Sequence, residues 1–300
     1  MTVSRRQFLE YCKNAAAAVG LSTVQLGQLE KALANPNGPS VIWLSGSSCT
    51  GCSVSFLNRI STTEPQTAAD VLVNVINLEY HPNLMAAAGE SAARVAQEAM
   101  NRGGYILAVE GGVPTAFGGN TCWAWTLDGA DVTFLDAVKS MAAQASQVLC
   151  IGTCASYGGI PAAPPNPAGV QSVKAVTLRN TINVPGCPPH PDWMIWTIAN
   201  LLGGTLGTLD SLGRPVGLFK RKVHDICPRR DLAKAVQYGQ DNRCLKDIGC
   251  LGPETVAPCP TSLWNNRTNW CIDANSLCIG CTNPTFPKNP LRRLVNGNNA

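Results

Sequence analysis

Residues 41–52 read Val-Ile-Trp-Leu-Ser-Gly-Ser-Ser-Cys-Thr-Gly-Cys, and they set the architecture of the chain. The first four are apolar and two of them are β-branched, which predicts a short buried strand over residues 41–44. The small residues that follow predict a loop, and residues 53–60 predict a helix. A strand that leads through a short loop into a helix is the repeating unit of α/β folds.

The same alternation continues for another 140 residues or so, since apolar runs alternate with helical patterns. The further predicted strands are residues 71–78, 105–109, 147–151 and 181–184, and the further predicted helices are residues 84–100 and 132–145. We therefore predict an α/β domain over residues 35–204, a doubly wound parallel sheet with helices on both faces. From about residue 205 Gly, Pro, Asn and Cys dominate, which predicts an irregular second domain over residues 205–300 that metal or covalent links must hold together.

The N-terminal segment carries the pattern of an export signal. Residues 4–9, Ser-Arg-Arg-Gln-Phe-Leu, form a twin-arginine pattern, and a weakly apolar stretch and Ala32-Leu33-Ala34 follow it. We predict a twin-arginine signal peptide over residues 1–34, export of the folded chain, and a periplasmic location. The apolar run is too short to span a bilayer, and we expect no membrane span in the rest of the chain.

Composition narrows the class of protein further. Only 14% of the 300 residues are charged, against roughly 25% in a typical soluble domain. Interface cores are depleted of charge, so we expect much of the surface to be covered by another protein. A formal charge of +4 is too small to indicate nucleic-acid binding. A basic stretch at residues 220–222 and 229–230 is either a solvated surface or the docking site of a redox partner.

Fourteen cysteines are the most informative residues of the chain. Cys49 and Cys52 follow the first predicted strand, Cys154 follows the strand at 147–151, and Cys187 follows the strand at 181–184. In a parallel sheet these loops open at the carboxyl edge, where α/β sheets bind ligands. Four thiolates at one edge indicate an iron–sulfur cluster.

Two further groups have the residue types of iron–sulfur ligands. The first group is His224, Cys227, Cys244 and Cys250, and the second is Cys259, Cys271, Cys278 and Cys281. Thirteen cysteines remain after removal of the signal, and this odd number argues against complete disulfide pairing. Three clusters use eleven of them, which leaves Cys122 for packing and Cys150 for the core.

Several motifs closely resemble the small subunit of periplasmic nickel–iron hydrogenases, over nearly the whole mature chain. They are Cys49-Thr50-Gly51-Cys52, Glu110-Gly111-Gly112, residues 152–159 (Gly-Thr-Cys-Ala-Ser-Tyr-Gly-Gly), Pro185-Gly186-Cys187-Pro188-Pro189, residues 224–229 (His-Asp-Ile-Cys-Pro-Arg), residues 249–253 (Gly-Cys-Leu-Gly-Pro) and Cys278-Ile279-Gly280-Cys281. The resemblance implies a flavodoxin-like domain followed by an irregular cluster-binding domain.

By this resemblance each group of ligands holds one cluster of an electron wire. The proximal set is Cys49, Cys52, Cys154 and Cys187; the medial set is Cys259, Cys271, Cys278 and Cys281; the distal set is His224, Cys227, Cys244 and Cys250. Glu110 is implied to lie near the proximal cluster. The implied partners are a large subunit that carries the Ni–Fe centre and an external carrier such as a periplasmic multihaem c-type cytochrome. No catalytic Ni–Fe site is expected in this chain.

Two departures from the usual family pattern carry information. Most relatives have a proline where this chain has Cys271, and their medial cluster holds three irons. Cys271 resembles the selenium-containing branch, which implies that all three clusters are of the four-iron type; without Cys271 as a ligand the medial cluster is of the three-iron type. Oxygen-tolerant members carry extra cysteines at positions that are Gly51 and Gly159 here, so an ordinary proximal cubane is expected.

Other interpretations of the residues stay open at this point. The chain could be a self-standing iron–sulfur carrier or a cluster subunit of another oxidoreductase, and either would work without this large subunit. A secreted, disulfide-linked binding protein is a further alternative. His224 as an ordinary surface histidine and Glu110 as an ordinary strand-end carboxylate are the corresponding alternatives for single residues.

Overall fold

The computed structural model describes residues 39–287 apart from residues 63 and 64. The signal peptide predicted for residues 1–34 lies outside the described residues. The strands are β1 (Ser40–Ser45), β2 (Asn77–Tyr80), β3 (Ile106–Glu110), β4 (Trp123–Leu127), β5 (Ala130–Thr133), β6 (Gln147–Ile151) and β7 (Ile182–Val184). The α-helices are α1 (Gly51–Leu57), α2 (Ala68–Asn74), α3 (Gly89–Arg102), α4 (Phe134–Gln144), α5 (Gly152–Tyr157), α6 (Val173–Thr177), α7 (Pro191–Leu202) and α8 (Cys259–Ser262).

Five of the strands form a parallel sheet in the order β2-β1-β3-β6-β7, which confirms the predicted fold class. The carboxyl ends of its four adjacent strands β1, β3, β6 and β7 are level. Ser45 pairs with Glu110, Glu110 with Ile151, and Ile151 with Val184. The loops that leave β1, β6 and β7 therefore start side by side at one edge of the sheet.

The sheet is buried on both faces, as its apolar strands require. Because side chains alternate along a strand, Val41 and Trp43 of β1 face one core and Ile42 and Leu44 face the other. The first core includes residues of α1, α2 and α7, and the second includes residues of α3, α4 and α6. The predicted cover of helices on both faces is confirmed.

One predicted element is wrong in type. The sequence pattern predicts a strand over residues 71–78, but the first half of this segment, residues 71–74, belongs to α2, and the strand β2 begins only at Asn77. Thr67 and Asp70 make a capping box at the start of α2, with Asp70 N 3.3 Å from Thr67 Oγ1 and Thr67 N 2.7 Å from Asp70 Oδ2. This local signal outweighs the β-branched residues of the segment. The β4–β5 hairpin and α7 were also not predicted.

The segment beyond α7 is irregular, as predicted, and in the described residues its longest helix is the four-residue α8. It does not depend on metal ligation alone, however. Phe219 and Trp270 join the core under one face of the sheet, and Trp193 Nε1 of α7 donates to Ser262 Oγ at 2.9 Å. Within the described part of the chain no helix has the length and hydropathy needed to cross a membrane.

Candidate metal centres

The proximal set lies at the level edge of the sheet. Cys49 precedes α1, Cys52 lies in its first turn, Cys154 lies in α5 after β6, and Cys187 follows β7. Burial raises the pKa of the Cys52 thiol well above its usual range, and the neighbouring Glu110 carboxylate and the other three thiolates of the set raise it further. Four thiols are therefore close enough to influence one another.

A buried carboxylate supports this loop. Glu110 ends β3 with no exposed surface, and its Oε1 accepts from the Cys52 amide at 3.0 Å. Its Oε2 accepts from Trp43 Nε1 at 3.2 Å and from the Ser53 hydroxyl. Ser53 Oγ also lies 3.2 Å from Nε2 of His81, whose pKa burial lowers to about 4. No sequence pattern singles out Ser53 or His81, because neither belongs to a cysteine motif.

Three glycines leave space beside the proximal thiols. A Cβ on Gly152, whose φ is +88°, would lie 2.5 Å from Cys52 Sγ. A Cβ on Gly159, whose φ is +56°, would lie 2.8 Å from Cys154 Sγ, and one on Gly51 would lie 3.0 Å from Cys49 Sγ. The two positions where oxygen-tolerant relatives are expected to carry extra cysteines thus border the proximal thiols directly.

The medial set is also brought together, around α8 and the last turns of the described chain. Burial raises the pKa of the Cys259 thiol well above its usual range, and the thiolates of Cys281, Cys278 and Cys271 raise it further. Burial likewise raises the pKa of Cys281 to about 12 and that of Cys278 to about 11. Cys271 therefore shares the electrostatic environment of the three cysteines that most relatives are expected to use.

The distal set lies on short turns beyond α7. Cys227, Cys244 and Cys250 are buried, and burial raises the pKa of Cys227, with further increases from the thiolates of Cys250 and Cys244. The backbone places His224 beside them, since its amide donates to Gly252 O at 3.0 Å and a Cβ on Gly252 would lie 3.4 Å from Cys250 Sγ. The structure thus joins the three thiols and sets the His224 backbone next to one of them.

Hydrogen bonds connect the three sets in series. The Thr153 hydroxyl accepts from the Gly186 amide at 2.9 Å and donates to the carbonyl of Cys281, so it joins the proximal loops to the medial set. The Leu251 amide donates to the Cys278 carbonyl at 2.8 Å, which joins the distal set to the medial set. Thr153 was not singled out from the sequence, although it adjoins Cys154.

The donor chemistry fits iron–sulfur clusters. Every cysteine within the described residues is a free thiol. In that same part of the chain no three His, Cys, Asp or Glu side chains lie close enough to share one metal ion. Each thiolate of a cubane binds a different iron, so its ligands need not converge on one ion. Coordination requires thiolates, so the cationic irons must offset the burial and mutual repulsion that raise these pKa values.

Comparison with known proteins agrees with this arrangement. Residues 49–201 match the family described as NADH ubiquinone oxidoreductase, 20 Kd subunit. Residues 219–292 match the family described as the C-terminal part of the NiFe/NiFeSe hydrogenase small subunit.

Similar proteins cover almost the whole chain. The periplasmic [NiFeSe] hydrogenase small subunit of Desulfomicrobium baculatum is 37% identical over 96% of this chain and 97% of its own length. The periplasmic [NiFe] hydrogenase small subunit of Solidesulfovibrio fructosivorans is 36% identical over 95% of this chain and 90% of its own length. The solved [NiFeSe] hydrogenase from Desulfovibrio vulgaris Hildenborough matches with a TM-score of 0.78 and 37% identity, over 84% of this chain and 95% of that one.

Proposed function

This chain belongs to the family of small subunits of periplasmic nickel–iron hydrogenases, and from that premise we propose that it conducts electrons through three iron–sulfur clusters. The wire runs between the Ni–Fe centre of a large subunit and an external carrier during reversible hydrogen oxidation. The proximal, medial and distal sets each hold one cluster, and a bound cluster takes up and releases one electron at a time. This chain carries no Ni–Fe site of its own.

The serial contact of the three ligand sets is the observation that carries the proposal. Thr153, which adjoins the proximal ligand Cys154, donates to the carbonyl of the medial ligand Cys281. The amide of Leu251, which adjoins the distal ligand Cys250, donates to the carbonyl of the medial ligand Cys278. Electron tunnelling falls off steeply with distance, so three neighbouring sites conduct where one wide gap does not. The domain division near residue 204 follows the same plan: the sheet holds the proximal set, and the irregular segment holds the other two.

The medial site is proposed to hold a four-iron cluster. Cys271 supplies the fourth thiol, and it raises the pKa of Cys259 together with Cys278 and Cys281. A fourth thiolate retains the fourth iron, which a proline at this position cannot do.

The large subunit is proposed to dock beside the proximal set. On and just after α1, Val54, Leu57 and Ile60 are exposed by 53%, 45% and 65%. A groove of about 560 Å³ runs between this helix and the loop at residues 264–267. An apolar ridge beside an open groove suits a large and permanent protein interface.

Export and location complete the proposal. The relatives from Desulfomicrobium baculatum and Solidesulfovibrio fructosivorans are named as periplasmic, and the twin-arginine pattern of residues 4–9 suits export after the clusters have been loaded.

The match to the 20 Kd subunit family keeps a cluster subunit of another oxidoreductase as the second candidate. That match ends at residue 201, whereas residues 219–292 of the irregular segment match the hydrogenase description.

Metal analysis and electron paramagnetic resonance of the complex with the large subunit, purified without oxygen, test the proposal. We expect iron and acid-labile sulfide for three four-iron clusters, all of them reduced by hydrogen. The Cys271→Pro variant should gain the signal of an oxidised three-iron cluster, and the Cys122→Ala control should keep the parent's spectrum and iron content. A three-iron signal in the intact parent would contradict the medial assignment. An iron content that accounts for fewer than three clusters would contradict the proposed three-cluster electron wire.

A further inference from the structure

The segment that holds the distal set is strongly basic. Residues 219–250 contain eight Lys or Arg side chains, four Asp and no Glu, which is an excess of four positive charges. That excess equals the formal net charge of the whole 300-residue chain. The excess of positive over negative charge is therefore concentrated in the segment that holds the distal set.

Apart from Arg230, which forms an ion pair with Asp231 at 3.7 Å, five exposed cations of this segment lie within four residues of a distal ligand. We call them the basic distal surface: Lys220, Arg221, Lys222, Arg243 and Lys246. Each is within four residues of His224 or Cys244, and four residues reach at most roughly 14 Å when fully extended. Their charges therefore act on any molecule that approaches the distal site.

The positive charge of this surface is not compensated locally. Arg221 donates to the carbonyl of Asp225, and Arg243 donates to the carbonyl of Lys234, rather than to carboxylates. Lys234, in contrast, forms an ion pair with Asp247 at 3.5 Å. Among the residues that the structure describes, none of the five cations of the basic distal surface is paired with a carboxylate.

Exposed apolar side chains lie among the same turns. Leu232, Val236 and Tyr238, between Cys227 and Cys244 in the chain, are exposed by 44%, 81% and 55%. A docking site combines a small apolar centre with a charged rim, and both are present on this segment. Opposite charges on the two partners at that rim speed their association and fix their relative orientation.

We propose that the basic distal surface docks an electron-carrier protein whose own surface is acidic around its redox centre. The inference rests on the proposed function and deepens it, because it gives the chemistry of the external carrier. A basic carrier would meet like charge at the point of electron exit. An acidic one would be steered to it, by a field that salt screens within about 8 Å at physiological ionic strength.

The test uses one carrier in two charge states: a lysine-rich mono-haem cytochrome, and the same cytochrome with its lysines succinylated. With the hydrogenase complex under hydrogen at low ionic strength, we expect the succinylated form to be reduced faster by about tenfold. High salt should remove the difference. The Lys220→Glu/Lys222→Glu variant should lose or reverse the preference.

A matched control separates local from global charge. The Lys139→Glu/Lys174→Glu variant makes the same change in net charge at exposed positions on α4 and α6, and it should keep the parent's preference. Equal effects of the two double variants, or a parent that prefers the untreated cytochrome, would overturn the proposal. The proposed function would instead be refuted, and this inference with it, by a complex that exchanges hydrogen isotopes but contains no iron–sulfur cluster and reduces neither cytochrome.

Discussion

The two ends of the proposed electron wire differ in the charge and polarity of their side chains. Around the proximal set, residues 45–58 contain no charged side chain, and α1 exposes a ridge of Val54 and Leu57. Around the distal set, residues 219–250 contain twelve charged side chains, and the cations outnumber the anions two to one. An apolar surface segment without charged side chains suits a permanent subunit interface, and a charged surface suits a transient partner.

The scaffolds of the two ends differ as well. Level strand ends place the proximal ligands, and the buried Glu110 carboxylate holds the amide of Cys52. The distal ligands sit on short turns that are joined by isolated backbone hydrogen bonds, such as His224 N to Gly252 O. The end that is built on the sheet is the one proposed to face the large subunit, where the distance for electron transfer must stay constant.

The largest effect is expected from charging the proximal ridge. Val54→Glu combined with Leu57→Glu should weaken association with the large subunit by more than about 1000-fold, because burying unpaired carboxylates costs several kcal/mol. Co-purification and the dissociation constant measure this effect. Leu178→Glu is the control, since Leu178 is 89% exposed and follows α6 on the opposite face of the sheet. Assembly that survives the double change would place the interface elsewhere.

A smaller effect is expected from filling the space beside Cys52. Gly152→Ala should cost about 3 kcal/mol through overpacking and backbone strain, and it should remove the proximal cluster's spectroscopic signal. Gly129→Ala is the matched control, because Gly129 also has a positive φ, +76°, but no atom lies within 4 Å of the position that an added Cβ would take. Equal loss of unfolding free energy and of cluster signal in both variants would show that strain alone is responsible.

The smallest effect is expected at the junction between the two halves. Thr153→Val should lower the free energy of unfolding by about 2 kcal/mol, because the Gly186 amide and the Cys281 carbonyl lose their partner. It should also weaken the magnetic interaction between the proximal and medial clusters. Thr197→Val is the control, since Thr197 is equally buried and bonds only within α7. An unchanged interaction in the Thr153 variant would mean that this hydroxyl does not set the junction.

The sequence was most informative where ligands follow regular elements. The sequence predicts that Cys49, Cys154 and Cys187 lie close together, because parallel strands end at the same edge of a sheet. Thr153 could not be linked to Cys281, because a hydrogen bond across 128 residues leaves no local pattern. The error at residues 71–78 has a local cause, since the capping box at Thr67 outweighs β-branched residues. The shared core beneath the irregular segment was missed because periodicity is absent there.

The central claim is that electrons cross the chain from the large subunit and leave at the distal site. The ratio of two activities of the complex tests this claim most directly. Hydrogen–deuterium exchange needs only the centre in the large subunit, whereas hydrogen-driven reduction of an external acceptor also needs electron exit at the distal site. For His224→Ala, the ratio of acceptor reduction to isotope exchange should fall sharply. Equal losses of both activities would contradict this claim and would make His224 a structural residue.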